Sequence, residues 1–513
     1  MVYNFKEDKK MKNKFKYLVF TLLPFLIFVG CEDRTDLTAP PAPPAFSTGT
    51  ANFSMYVSIG NSLTAGYQSN ALSERDQVSS FPSLIAKQVQ APGTFEQPLI
   101  QNPGIGGRLK LLDLAPTIVA EPSVDPTNPA SNLNIALQRP YNNLGIPGAI
   151  LYDMTDVTDF TAKSVARQNP FFALILRNQA LGNSVVNQAR TLQATFVTAW
   201  IGYNDVLGYA TSGGTSGTNT IIGPPRTLPT ETAVFQPLYK AMLDALSQEP
   251  RGIVVGNIPS VSTIPFFTTV GPLLASEIPW GTFAKLGAPG IIYQSHNLPN
   301  YPGLPYAIGV ADSASLIHLT TLFTLVGQTY AGLIGQPTGK FYRDNHFPAL
   351  PAGVDTTKPF GVHPQNPFPD AYVLEPAEIT IAETAVDAFN SIIASEAANK
   401  NIAVVDFNKV LKTLIATPII DPGLGVFTSS FIEGGTFSYD GVHPSSRGYG
   451  IIANEWIKVI NQKFGATIPL IDLSTLPAMP LGKASIQYIN YAPGVFNNMV
   501  RMMTNNKTWP VNN

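Results

Sequence analysis

Two helix-then-strand pairs constrain the fold of this chain more than any other feature. Pro237 marks the expected start of a helix with Leu238, Met242, Ala245 and Leu246 on its apolar face, and Gly252-Ile253-Val254-Val255-Gly256-Asn257 follows. Pro376 starts a second helix in which Ile379, Ala382, Val386, Phe389 and Ile393 step by three and four, and residues 402–405 form the next short apolar run. Strands that are apolar at every position must be covered on both faces, which calls for a parallel sheet between two helical layers. Residues 55–59 and 195–201 give two more strand patterns, and residues 81–89 read as a helix. The fold class is therefore α/β with a parallel sheet.

Composition narrows the functions. Charged residues make up 13% of the 513 residues, about half the usual share, and 45 Pro with 41 Gly imply many ordered turns. With 32 basic against 34 acidic residues there is no excess charge to neutralise phosphates, so no nucleic-acid partner is expected. Six lysines against Glu7 and Asp8 concentrate positive charge in residues 1–30 and leave the remainder more acidic than the formal net charge of −2.

Those lysines precede a short apolar run, residues 17–29, too short to span a bilayer and arranged as a secretory signal. The run ends at Phe28-Val29-Gly30-Cys31, and Cys31 is the only cysteine, so no internal disulfide is possible. The stretch resembles a bacterial lipoprotein signal, which implies a lipid on Cys31, attachment to a membrane of the cell envelope, and a periplasmic or surface location. The alternative is a plain signal with a chance cysteine. Residues 31–51 read as a Pro-rich tether, with folded structure expected from about residue 52.

Within the body, residues 52–258 and 373–465 carry the α/β pattern. Residues 259–372 are rich in Pro, Gly and aromatics without clear periodicity, too long for a plain loop, and read as an insertion with its own packing. Its Phe266, Phe267, Trp280, Phe283, Tyr293 and Tyr301 suit either a small internal core or the lining of an apolar or sugar-stacking pocket, with the insertion covering the substrate site. Residues 466–513 form a C-terminal extension. Pro103-Gly104-Ile105-Gly106-Gly107 lacks dinucleotide-binding spacing and reads as a turn.

Four short blocks hold candidate chemistry. Gly60-Asn61-Ser62-Leu63 sets a serine just past a strand, where a nucleophile would be exposed at the sheet's carboxyl edge; a serine in such a turn also occurs for structural reasons. Asp440-Gly441-Val442-His443-Pro444 puts a carboxylate and an imidazole three apart on one turn, so that the carboxylate can hold Nδ1 and leave Nε2 to take a serine's proton. A helix pattern follows, with Ile451, Ile452, Trp456, Val459 and Ile460 apolar. Gly202-Tyr203-Asn204-Asp205 ends a strand with an amide able to donate to an oxyanion, and Gly148 offers an N–H with no side chain beside it; each alone is also an ordinary turn. Gly361-Val362-His363-Pro364 repeats four residues of the histidine block but has Phe360 where the carboxylate belongs, so His363 reads as a loop residue. His296, His318 and His346 have no close ligand spacing, so no metal is expected.

In this order the four blocks resemble the SGNH, or GDSL-type, hydrolase superfamily. The resemblance implies a flavodoxin-like three-layer α/β/α sandwich and a cofactor-free serine esterase. In it Ser62 is the nucleophile, His443 the general base and acid, and Asp440 its orienting carboxylate, with Ser62 N–H, Gly148 N–H and the Asn204 amide forming the oxyanion hole. Asn61 stands where the family usually has Asp and keeps one acceptor oxygen. Lipid acyl esters, glycan acetyl esters and small esters all remain open as substrates. The alternative from another class is an anchored binding lipoprotein on a non-hydrolytic SGNH fold.

Overall fold

A computed structural model of the chain describes residues 46–91, 95–111, 117–214, 229–285, 287–344, 350, 352–479 and 490–491. Cys31, the signal, most of the tether and His346 lie outside the described residues. The folded body begins at Ser47, somewhat before the expected start. Ser47 and Thr50 pair with the backbone of 464–467 through Thr467 N–H to Ser47 O at 2.8 Å and Thr50 N–H to Phe464 O at 2.9 Å.

Five parallel strands make the central sheet: β1 (Tyr56–Gly60), β2 (Asn143–Gly145), β3 (Phe196–Trp200), β4 (Gly252–Gly256) and β5 (Ala403–Val405). Their order across the sheet is 2-1-3-4-5. β1, β2 and β3 are buried at every position, as strands covered on both faces must be. The helices α1 (Ser62–Ala65), α2 (Phe81–Gln88), α3 (Asn204–Thr211), α4 (Thr232–Leu246), α5 (Pro376–Ala398), α6 (Phe407–Ala416) and α7 (Ser446–Phe464) connect and cover them. α4 packs on α5, and α2 packs on α7. The chain is thus a flavodoxin-like α/β/α sandwich, and the order of strands reverses direction between β1 and β3, the crevice where such sheets hold ligands.

One helix start differs from expectation. α4 begins at Thr232, and Pro237 lies inside it. Pro237 and Ala233, whose carbonyl would have taken the missing N–H, are both exposed, so water replaces that bond. Phe235, Tyr239, Met242, Leu243 and Leu246 form the buried face.

Residues 259–372 hold several short helices and an antiparallel hairpin, Ile291–Ser295 with Ala307–Ala311. Tyr330 lies 5.2 to 6.0 Å, ring to ring, from Phe360, Phe368 and Tyr372. Of the six aromatics singled out from the sequence, Phe266, Phe267, Phe283 and Tyr293 are buried, Trp280 is partly buried and Tyr301 is exposed. Among the described residues no helix is long and apolar enough to cross a membrane.

Candidate active site

The strand ends converge first. Gly60 at the end of β1 pairs with Gly145 of β2 on one side and Trp200 of β3 on the other. A Cβ on Gly60 would sit 2.3 Å from the Trp200 carbonyl oxygen and 2.2 Å from Thr64 Oγ1, so only glycine fits. Asn61 then caps α1, its Oδ1 accepting from Leu63 N–H at 3.0 Å, and Ser62 is the first helical residue. The capping oxygen is the one Asn shares with the Asp usual at this position.

The histidine block comes from the far end of the chain. Gly441 adopts φ +69 and turns the backbone tightly enough for Asp440 Oδ1 to accept from Val442 N–H at 2.9 Å and His443 N–H at 2.8 Å. Asp440 Oδ2 accepts from His443 Nδ1 at 2.9 Å, and His443 Nε2 lies 2.9 Å from Ser62 Oγ. Ser445 caps α7 by accepting from Gly448 N–H at 3.0 Å and ties the turn to Gly435 O at 2.6 Å. Tyr67 packs its ring 4.8 Å from that of His443.

Electrostatics favour an ionised Asp440. Full burial pushes its carboxyl up, but His443 and the backbone N–H groups of His443 and Asn70 outweigh burial and hold it below the ordinary value. The same burial, with the Asp440 charge, holds the Tyr67 hydroxyl well above its usual range, so Tyr67 stays neutral.

Asn204 reaches the loop that carries Gly148. Asn204 Nδ2 donates to Ala149 O at 2.8 Å, and Leu151 N–H donates to Asp205 Oδ2 at 2.8 Å, so α3 braces the glycine loop directly. Asn169 Nδ2 donates to Pro147 O at 2.8 Å and Arg167 Nη2 to Gly148 O at 3.2 Å, while Arg167 also pairs with buried Asp153. Burial pushes Asp205 up to about 7 despite its bonds to Leu151 N–H and Thr230.

A hydroxyl, an imidazole and a buried carboxylate in this line form a proton relay suited to acyl transfer. Residues 336–456 match the family model of the GDSL-like Lipase/Acylhydrolase. That stretch, under a quarter of the chain, is similar to a GDSL-like hydrolase domain. No curated protein and no solved structure matches the chain. The matched stretch contains Asp440 and His443; Ser62 lies outside it and is brought to His443 by the fold.

The other histidines lie elsewhere. His363 is partly buried, its Nδ1 accepting from Gln365 N–H at 3.1 Å, and His318 is exposed. His296 has no ligand near it in sequence, yet the fold sets its Nδ1 2.8 Å from Asp370 Oδ2 and its Nε2 3.2 Å from Glu378 Oε1, with the three ligand atoms mutually within 4.8 Å. The Asp370 hydrogen bond leads in pushing His296 up to about 9, while burial pushes Glu378 up to about 8 and raises Asp370 as well. Asn70, Arg167 and Ser438, whose hydroxyl donates to Asp440 Oδ1 at 3.1 Å, are site residues that sequence spacing did not reveal.

Proposed function

We propose that this GDSL-like hydrolase cleaves carboxylic esters through an acyl-enzyme on Ser62. The observation that carries the reading is the unbroken line from Ser62 Oγ through His443 to Asp440, 2.9 Å at each step. His443 Nε2 takes the hydroxyl proton as Ser62 Oγ bonds to the ester carbonyl carbon. The carbonyl oxygen becomes an anion facing Ser62 N–H, Gly148 N–H and the Asn204 amide, and preformed donors at that position stabilise the transition state more than the ester. The intermediate collapses, the alcohol oxygen leaves with the proton from His443, and the acyl group stays on Ser62. Water repeats the sequence: His443 takes its proton, the oxygen attacks the acyl carbon, and Ser62 departs protonated. The chain's own residues supply every step, and no cofactor enters.

The envelope location and the lipid on Cys31 belong to the same proposal, supported by the Lys-rich apolar segment that ends at the only cysteine. The chemistry is tested by incubation with a phosphonylating reagent that mimics the tetrahedral intermediate. One phosphonyl group should appear on Ser62 by peptide mass spectrometry and be absent from His443→Ala at the same exposure. Equal labelling of both proteins would contradict the relay.

A further inference from the structure

The loop that leaves β2 starts against the nucleophile's own turn. Gly145 pairs with Gly60, Ile146 N–H donates to Gly60 O at 3.0 Å, and a Cβ on Gly145 would lie 2.3 Å from Ala65 N of α1. The N–H groups farther along the loop are taken: Ala149 donates to Ile146 O at 3.0 Å, Ile150 to Asp153 Oδ2 at 2.8 Å and Leu151 to Asp205 Oδ2 at 2.8 Å. The carbonyls of Pro147, Gly148 and Ala149 accept from the side chains of Asn169, Arg167 and Asn204. Gly148 N–H is the exception. Among the described residues it meets no acceptor, and neither does Ser62 N–H.

A loop pinned at this many points and left with one unpaired donor holds that donor in a fixed direction before any substrate arrives. The direction is set from the other side of the same peptide. Across a trans peptide the C=O and N–H point opposite ways, so the bond from Asn169 Nδ2 to Pro147 O, 2.8 Å long, decides where Gly148 N–H points. Arg167 grips Gly148 O at 3.2 Å, which belongs to the next peptide, and φ +78 at Gly148 lets the two planes take these different directions. Asn169 is itself immobilised. It is 5% exposed, and its Oδ1 accepts from Phe171 N–H at 3.0 Å at the start of the short helix Phe171–Leu176. Both ends of its amide are thus engaged, one on a helix start and one on the loop.

We infer that Asn169 is a positioning residue, which aims the Gly148 N–H at the oxygen that becomes negative when Ser62 attacks. The inference rests on the esterase reading above and adds to it the side chain that orients one of the oxyanion donors. Asn169→Ala should lower kcat at least about tenfold with KM changed less than threefold, since the donor acts on the transition state more than on the ester. The specific readout is the ratio of kcat/KM for an aryl ester to that for its thiono analogue, in which C=S replaces C=O. A sulfur anion is larger and a poorer hydrogen-bond acceptor, so a well-aimed N–H favours the oxygen ester, and the ratio should fall at least about fivefold in Asn169→Ala. Asn169→Ser keeps an oxygen for Phe171 N–H but is too short to reach Pro147 O, and makes the same test should Asn169→Ala fail to fold.

A second measurement needs no turnover. Phenylboronic acid titrated into the protein in a calorimeter forms a tetrahedral anion as Ser62 Oγ bonds to boron and its proton passes to His443, and Asn169→Ala should weaken that binding at least about tenfold. Where the wild type hydrolyses the ester, a smaller change in the oxygen-to-sulfur ratio of a folded variant overturns the inference, whatever happens to kcat, and leaves the esterase reading standing. No hydrolysis of any ester, with boronate binding that the substitution weakens as stated, keeps Asn169 as the residue that aims the donor and overturns the esterase reading. No hydrolysis, with boronate binding absent or weakened less than that, overturns both.

Discussion

Asn70 donates its backbone N–H to Asp440 Oδ2 across 2.8 Å, to the same oxygen that accepts from His443 Nδ1. The loop after α1 therefore helps to aim the carboxylate that aims the histidine. Asn70 can do so because it sits at φ +63, a left-handed conformation that Asn tolerates, and its Nδ2 ties the loop to Gly106 O at 2.8 Å. A β-branched residue is strained there, so Asn70→Val should lower kcat by roughly tenfold or more through displacement of that N–H. Asn70→Gly keeps the conformation and should recover most of the loss. Equal activities in the two variants would show that the N–H does not position Asp440.

His443→Ala should reduce kcat by roughly 10⁴-fold or more, the scale seen when one member of such a relay is removed. His363→Ala should change it less than about threefold, because its recorded bond is to the backbone of its own loop. Steady-state kinetics on one aryl ester decides between the two Gly-Val-His-Pro segments, and a reversed result would assign the chemistry to His363 and contradict the relay through His443.

Asp440→Asn presents the wrong partner to Nδ1 and should lower kcat by about 10⁴-fold. It should also alter stability in acid. The folded carboxyl is held below its ordinary value of 3.8, so its ionised form stabilises the fold above about pH 4, and that contribution is lost as pH falls through the folded pKa. Denaturant titrations should show the stability gap between wild type and Asp440→Asn narrowing below pH 4. A constant gap would mean that Asp440 is not held ionised by these contacts.

The sign is opposite for Asp205. Burial raises it to about 7, so the folded state keeps a proton that the unfolded chain releases near 3.8, and stability falls as pH rises between those values. The full effect is about 4 kcal/mol at most. Asp205→Asn removes this dependence while leaving one acceptor for Leu151 N–H or Thr230. The stability advantage of wild type over the variant should therefore shrink from pH 4.5 to pH 7.5; an advantage that grows with pH would contradict the burial argument.

Legibility in the sequence followed the range of the physics involved. β1, β3 and β4 showed themselves because strands buried on both faces must be apolar throughout, and α5 and α7 because one face meets the core. β2 did not, since Asn143-Leu144-Gly145 has no β-branched residue and becomes a strand only by pairing with β1. Ser62, Asp440, His443, Asn204 and Gly148 stood out as blocks with local meaning. Asn70, 370 residues from Asp440, and His296, whose partners are Asp370 and Glu378, acquire theirs only through long-range folding.

The most direct measurement is kcat/KM of purified Ser62→Ala against wild type on the best aryl ester. Ser62 is a small residue at the first position of α1, and its replacement by alanine should leave thermal unfolding near that of wild type. The account predicts a folded variant whose turnover drops by roughly 10⁴-fold or more. A folded variant that keeps more than a tenth of wild-type turnover would contradict it, because no acyl-enzyme on Ser62 could then carry the reaction.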